Sequence, residues 1–284
     1  MRWTILLPLA LLIVACEQQS CPPVTCPVCA CPSPTQPDTS LHISFIDVGQ
    51  GDSALIRYGE TEMLIDCGKN AEGFRVAEFL RKKDIKTIEY LLMTHPDSDH
   101  IGGCDEILDN FDVKAVITNG DKKATKDYND VMALIDTEQI IVADVNDSWN
   151  IGPAKFTVIQ SNNGFADANL NSVVGYLDYK EVSFLFTGDC DKQCEDMLVD
   201  SGRLKPTSVL KVAHHGSKYG TGIAFLEAAT PETAVISVGM DNAYGHPAPQ
   251  ALDRLSQEGI PLYRTDYDGT ISFHSNGISY GLGD

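Results

Sequence analysis

Apolar and polar positions alternate in short bursts between glycine-containing turns near the start of the chain's main body, which predicts strands over 42–47, 54–58 and 62–66. Apolar residues then recur at helical spacing over 74–82, and the compact apolar run 88–93 suits a buried strand. Alternation of strand-like and helix-like runs continues at 115–117, 131–135, 140–143, 156–159, 173–177 and 182–186, and again at 209–212, 234–238, 252–255 and 270–273. Many strands with interspersed helices and no internal repeat predict an α/β fold, a layered sandwich of mixed sheets with helices outside.

The pattern before residue 41 is different. Arg2 precedes an apolar run over 5–14 that is too short to span a bilayer and matches the core of a secretory signal, so 1–15 are expected to be removed. The run closes as Leu12-Ile13-Val14-Ala15-Cys16, which resembles a bacterial lipobox. Cys16 is then the expected site of lipidation, and the chain an extracytoplasmic, membrane-anchored lipoprotein at the periplasm or cell surface. An uncleaved signal-anchor is the alternative. From 16 to 40 the composition turns to Cys, Pro, Ser, Thr and Gln, which reads as a tether unable to bury a core. Cys21, Cys26, Cys29 and Cys31 fall there, where disulfides in an oxidising compartment are a better expectation than a redox pair or a structural zinc.

The 284 residues are 43% hydrophobic and 21% charged, an ordinary globular balance, and one hydrolase domain over 41–284 is expected. The formal net charge of -19 counts against non-specific binding to DNA or anionic lipid. It does not exclude a nucleic-acid substrate, because bound divalent metals add local positive charge.

Candidate chemistry gathers after the apolar runs. Thr94-His95-Pro96-Asp97-Ser98-Asp99-His100-Ile101-Gly102-Gly103 puts two imidazoles and two carboxylates within six residues at a strand end, and its glycines would let the backbone turn tightly round an ion. The alternative is an exposed acidic loop. Phe184-Leu185-Phe186-Thr187-Gly188-Asp189 ends in a carboxylate able to bridge two metals, or to cap the helix expected near Asp191. His214 and His215 follow the run 209–212; on extended backbone neighbouring side chains point opposite ways, so one of the two is expected to bind metal. His246, in Tyr244-Gly245-His246-Pro247, adds an imidazole in a turn, as a supporting, phosphate-binding or metal-binding group. Gln50 and Asp52, in the loop Gln50-Gly51-Asp52-Ser53, are expected to line the site, while Lys218 and Tyr219 contact phosphate or are ordinary surface residues. His42 and His274 read as structural. For Cys67, Cys104, Cys190 and Cys194 the open readings are a Cys190–Cys194 disulfide or buried free thiols.

In this order these elements resemble the metallo-β-lactamase superfamily, and more narrowly the hydrolase domain of ComEC-type competence proteins, over about 41–277. The resemblance rests on Phe45-Ile46-Asp47-Val48-Gly49-Gln50-Gly51-Asp52-Ser53, on Leu64-Ile65-Asp66-Cys67-Gly68 and on the 95–100 motif. Asn169-Leu170-Asn171-Ser172, Thr187-Gly188-Asp189, His214-His215-Gly216-Ser217 and Tyr244-Gly245-His246-Pro247 complete it. It implies a four-layer αββα sandwich and two divalent metal ions, zinc or manganese. By the resemblance His95 and Asp97 hold one metal, Asp99 and His100 the other, Asp189 bridges them, and His214 or His215 completes the second site. Asp99, His215 and His246 carry the catalytic roles. Asp47, Gln50, Asp52, Asp66, Asn171, Ser172, Ser217 and Lys218 support ligands or substrate, with Asp66 acting by hydrogen bonding. The superfamily more often has His at the place of Asp97 and near Asn171; both departures argue against β-lactam hydrolysis.

The resemblance thus implies a phosphodiesterase, a stand-alone nuclease on extracytoplasmic DNA without a channel-forming region, whose membrane contact is the N-terminal lipid alone. A phosphoesterase on a lipid headgroup or cell-wall polymer, like the phosphorylcholine esterases, is the second reading. A non-catalytic binding lipoprotein is the third; crowding three carboxylates serves no purpose in a plain binding scaffold, because their mutual repulsion is unfavourable.

Overall fold

Among the described residues fifteen strands form two mixed sheets, and the way apolar residues alternate along them explains why both faces of each sheet are covered. The computed structural model describes residues 40–283, so the expectations for the signal segment, for Cys16 and for the tether as far as residue 39 lie outside the described residues. Residues 37–284 form one compact unit.

The first sheet contains β1 (Leu41–Phe45), β2 (Ala54–Tyr58), β3 (Thr61–Ile65), β4 (Thr87–Met93), β5 (Asp112–Thr118) and β6 (Ile140–Val142). The second begins with β7 (Ser148–Ile151), β8 (Ala154–Gln160), β9 (Val174–Tyr179) and β10 (Val182–Phe186). It continues through β11 (Val209–Lys211), β12 (Thr233–Ile236) and β13 (Leu262–Arg264); β14 (Ile271–Ser275) and β15 (Tyr280–Leu282) return to the first. The orders are β15-β14-β1-β2-β3-β4-β5-β6 and β13-β12-β11-β10-β9-β8-β7. The helices are α1 (Gly73–Lys82), α2 (Ser98–Ile101), α3 (Cys104–Asn110), α4 (Lys126–Ala133), α5 (Lys192–Ser201), α6 (Ile223–Ala229), α7 (Pro249–Gln257) and α8 (Thr265–Asp268).

Because strand side chains alternate between faces, each strand serves two cores. Met63 and Ile65 of β3 join Phe45, Phe156, Phe184, Phe186 and Phe273 between the sheets, whereas Leu64 joins Val76, Leu80 and Ile107 under α1 and α3. On the other side Phe184 points between the sheets while Leu185 packs with Leu198, Phe225 and Leu255 under α5, α6 and α7. Helix, sheet, sheet, helix is the four-layer αββα sandwich that the resemblance implied.

Expected elements match in kind with ends displaced by a few residues; 54–58 and 182–186 coincide with β2 and β10. The run 131–135 falls at the end of α4, and 252–255 lies within α7. Short strands β7, β13 and β15 carry no periodic signal. Among the described residues no helix is long and apolar enough to cross a membrane.

Candidate metal centre

Parallel pairing of β3 with β4, of β10 with β11 and of β11 with β12 sends several strand ends to one edge of the sandwich, where their loops meet. The loop after β4 carries His95 to His100, the turn after β10 carries Asp189, and the turn after β11 carries His214 and His215. The first of these is clasped to its neighbours by backbone: Asp52 N–H donates to Asp99 O at 3.1 Å, Cys67 N–H to His100 O at 2.7 Å and Gly103 N–H to Gly68 O at 3.0 Å. A Cβ on Gly51 would stand 2.4 Å from Asp99 O, and one on Gly103 would stand 2.4 Å from Cys67 O. Glycine at 103 therefore serves close approach of two loops; its φ of -84° is open to any residue, so the tight turn expected from the glycines after His100 is not the reason for it.

Three imidazoles are oriented through one ring nitrogen, leaving the other free. His100 Nδ1–H donates to Asp66 Oδ2 at 2.7 Å, and Thr94 secures Asp66 through its amide at 2.8 Å and its hydroxyl at 2.7 Å. His215 Nδ1–H donates to Ser237 O at 2.9 Å. His95 Nδ1 lies 3.2 Å from Thr94 Oγ1 and 3.4 Å from Ser172 Oγ, and the Ser172 hydroxyl also accepts from Asp189 N–H at 3.1 Å. His95 Nε2, His100 Nε2, His215 Nε2 and Asp189 Oδ1 are consequently buried without a hydrogen-bond partner. His214 Nδ1 and His246 Nδ1 are in the same condition.

Two groups converge on these open atoms, His95 with His100 and Asp189, and Asp99 with His100 and His215, the ligand atoms of each lying within 4.8 Å of one another. Buried nitrogen lone pairs and carboxylate oxygens left without donors at such spacing fit divalent cations, which take such ligands at about 2 Å. Two other groups at the same spacing both include Asp52, one with Asp189 and His215 and one with Asp66 and His100; Asp66 is already held by Thr94 and His100, and Asp52 Oδ2 by Lys211, which leaves Asp52 Oδ1 as its one open oxygen.

The electrostatics agree with a cation-binding role. Burial pushes His95 down to about 3, with His100 adding to the fall, so its lone pair is available. For His215 burial opposes the charge, but Asp189 and Asp52 prevail and raise it to about 10. His100 is raised well above its usual value in the same way, against burial, by Asp189 and Asp66. Asp189 and Asp99 resist the upward push of burial and are held below the usual carboxylate range by the histidines around them. A ring of carboxylates that retains protons on two imidazoles is one in which a cation can replace those protons.

Asp97 stands apart. Its Oδ1 accepts from Lys123 Nζ at 2.6 Å and lies 4.0 Å from His95 Nε2, which leaves it on the rim and in neither group. His214 and His215 do not follow extended backbone as expected: both have positive φ, 50° and 53°, because His214 N–H donates to Gly188 O at 3.1 Å and Ser217 N–H to His214 O at 2.8 Å, closing a tight turn. Both rings face Asp189 as a result, with Nε2 atoms 3.6 and 3.7 Å from Oδ2. His246 lies beyond them, 5.6 Å from His214 between ring centres, and burial together with His214 pushes it down to about 4.

Other expected residues build the walls. Asp47 caps its own turn by accepting from Gly49 N–H at 3.0 Å, and Gln50 Oε1 accepts from Gly239 N–H at 3.3 Å. Asn171 is fully buried and holds the loop beside Asp97, donating to Asp121 at 2.8 Å and to Phe165 O at 2.9 Å. Ser217 accepts from Tyr219 N–H at 3.3 Å, and Lys218 lies on the exposed Tyr219. Asp191, and not Asp189, caps α5.

Three contributors escape a reading of motifs. Lys211, 4% exposed, extends from β11 beneath the centre to form an ion pair with Asp52 and to donate to Gly188 O at 3.2 Å. Asp52 Oδ1 is in turn 3.4 Å from His215 Nδ1. The signal was a lone charge inside the apolar run Val209-Leu210-Lys211-Val212. Glu195 accepts from the amides of Thr221 and Gly222, fixing the loop beyond His215. Disulfides Cys67–Cys104 and Cys190–Cys194 each begin one residue after a carboxylate of the centre, Asp66 or Asp189. The second of these is the pairing left open above; the first was not foreseen.

Residues 46–239 match the metallo-beta-lactamase superfamily. The chain is 32% identical over 253 residues to ComE operon protein 3 of Bacillus subtilis, covering 81% of this chain and 32% of that one. It is 31% identical over 240 residues to competence protein ComA of Neisseria gonorrhoeae, covering 84% and 33%. It thus spans about a third of the length of the curated relatives it matches. Among solved structures, the metallo-beta-lactamase fold protein YhfI of Bacillus subtilis superposes with a TM-score of 0.56 at 11% identity, over 83% of this chain and all of that one. CmlA of Streptomyces venezuelae, a diiron β-hydroxylase, superposes at 0.53 with 14% identity over 81% of this chain and 53% of that one, a likeness of fold alone. By sequence match and architecture together, this chain belongs to the metallo-β-lactamase superfamily and is related to the ComEC-type competence proteins.

Proposed function

We propose that the chain is a metal-dependent phosphodiesterase, a nuclease acting on extracytoplasmic DNA. The observation that carries this reading is the convergence of His95, His100 and His215 Nε2 with Asp189 Oδ1, all buried and without partners, at the open edge of the sandwich. Two divalent cations, Zn²⁺ or Mn²⁺, suit this mixed nitrogen and oxygen set, and when bound would supply a low-pKa water and charge to clamp phosphate oxygens. His95, His100, Asp99, Asp189 and His215 are the proposed holders, with His214 beside Asp189 and Asp97 on the rim. Asp66 and Ser237 O fix the tautomers of His100 and His215, so each Nε2 faces inward as an acceptor. Asp99, whose side chain is 21% exposed and which the neighbouring histidines keep ionised, would orient the attacking water by accepting its hydrogen bond. His246 is neutral at physiological pH and presents an N–H to a substrate oxygen.

Two disulfides among the described residues support an oxidising, extracytoplasmic location, consistent with the lipobox-like Cys16 and a membrane contact through lipid alone. The net charge of -19 favours, as a second reading, a phosphoester on a lipid headgroup or cell-wall polymer. Hydrolysis of single-stranded DNA, double-stranded DNA and bis-p-nitrophenyl phosphate by the purified chain with Mn²⁺ or Zn²⁺ tests both. DNA cleavage that Asp99→Ala abolishes is the expected result. Cleavage of the small diester alone would move the assignment to the second reading, and inactivity on all three with both metals would remove the phosphodiesterase.

A further inference from the structure

Several lysines of this acidic chain are matched to a carboxylate, as Lys82 is to Glu78, Lys114 to Asp112, Lys192 to Asp196 and Lys205 to Asp178. At the mouth of the centre, as elsewhere at Lys180 on Tyr179 and Lys205 on Tyr176, lysines lie on aromatic rings. The Lys69 ammonium stands 5.7 Å from the centre of the Tyr244 ring, and that of Lys218 stands 4.8 Å from the centre of Tyr219. Both tyrosines are open to solvent, Tyr244 at 61% and Tyr219 at 62%. Tyr244 also lies nearly parallel to His246, with ring centres 5.9 Å apart and planes at 24°. His246 in turn is 5.6 Å from His214, whose Nε2 is 3.6 Å from Asp189. A continuous path therefore leads from the candidate metal-bridging carboxylate through two imidazoles to an exposed aromatic ring with a cation beside it.

Resting on the phosphodiesterase reading, we infer that Tyr244, His246 and Lys69 form a subsite for one unpaired nucleotide next to the scissile phosphate, the base on the tyrosine ring and a neighbouring phosphate on Lys69. Alternating aromatic and basic groups along a groove is how proteins bind single strands, since every base has a π-face to stack and a phosphate to neutralise. The faces of a base inside a duplex are already occupied, so this platform selects single-stranded or frayed ends.

The test is binding of the full chain, loaded with Mn²⁺, to a fluorescein-labelled phosphorothioate octathymidylate and to an abasic strand of the same backbone, followed by fluorescence anisotropy. Wild type is expected to bind the base-bearing strand about 10-fold more tightly, the scale of one stacked base. Tyr244→Ala should erase that difference and Tyr244→Phe should keep it. Lys69→Gln should weaken both strands and lower the slope of log affinity against log salt by about one phosphate contact. Equal affinity of wild type for the two strands, persistence of the difference in Tyr244→Ala, or displacement of the base-bearing strand by phosphocholine would each overturn the subsite. Metal-dependent hydrolysis of methyl p-nitrophenyl phosphate, measured alongside, keeps the two ideas apart. If that diester is cleaved and bases make no difference, the subsite fails alone; if no diester is cleaved, the catalytic reading fails with it.

Discussion

Lys211 and Asp52 bring opposite charges from different sheets into one buried contact beneath the histidines. The desolvation of each is offset chiefly by the other, so removing one strands much of its partner's charge. Lys211→Met should destabilise the protein by about 3–5 kcal/mol in urea unfolding, the usual consequence of orphaning a buried charge. Lys211→Met with Asp52→Leu should recover much of that loss, and a double variant as unstable as the sum of the singles would show the two are not coupled. Glu195 offers a second check. Burial raises its carboxyl from the usual 4.5 to about 7, against the pull of the Gly222 and Thr221 amides and of Arg254. The folded state therefore binds more protons than the unfolded between those values, and the contribution of Glu195 is fully present below pH 4.5 and lost as pH rises through 7. Relative to Glu195→Gln, the melting temperature of wild type should fall over that interval; a difference independent of pH would deny the raised carboxyl. The histidines and carboxylates of the centre were legible in the sequence because they cluster in short motifs. Lys211 and Glu195 were not, since their partners, Asp52 and the 221–222 amides, arrive from distant parts of the chain.

Each disulfide pins a loop of the centre to the helix that follows it. Cys67–Cys104 ties the end of β3 to the start of α3 and so closes the 95–103 loop behind His100, with a sequence separation of 37. Cys190–Cys194 ties the Asp189 turn to α5 with a separation of 4. Chain entropy scales with the logarithm of the closed loop, giving about 4 kcal/mol for the longer and about 2 kcal/mol for the shorter. Denaturant unfolding of Cys67→Ser/Cys104→Ser should thus show the larger loss, and the reverse order would mean that local packing outweighs loop closure. The same elements show what pattern reveals. Strands such as β2 and β10 are apolar enough to be read directly, whereas β7, β13 and β15 are three or four half-buried residues whose strand character comes from the neighbour they pair with. The turn at His214 and His215 was read as extended because the run before it is a strand; the hydrogen bond to Gly188 O, on the neighbouring turn, bends it.

At the scale of the molecule, the centre spans the two sheets. His95, Asp99 and His100 come from the loop after β4 in the first, and Asp189, His214 and His215 from turns after β10 and β11 in the second. The order of motifs along the sequence, through its resemblance to a known superfamily, made this architecture legible as a whole, while the apolar pattern alone reached no further than a layered sandwich. With Asp52, Asp66, Asp99 and Asp189 crowded at one edge, the uncharged interior between the sheets does nothing to relieve their repulsion. A cation bound by both loops relieves it and joins the halves, and anything that binds only the folded state stabilises it by mass action, about 2.7 kcal/mol when free metal is 100 times its dissociation constant. The melting temperature should therefore drop on dialysis against a chelator and recover with Zn²⁺ or Mn²⁺. Hydrogen exchange locates the effect: amides of 95–103 and of 209–217 should gain protection together on adding metal, because neither loop alone completes a ligand group that includes Asp189 or His215. Protection confined to 95–103, with neither the Asp189 turn nor 209–217 affected, would place the cation within a single loop and separate the sheets' contributions.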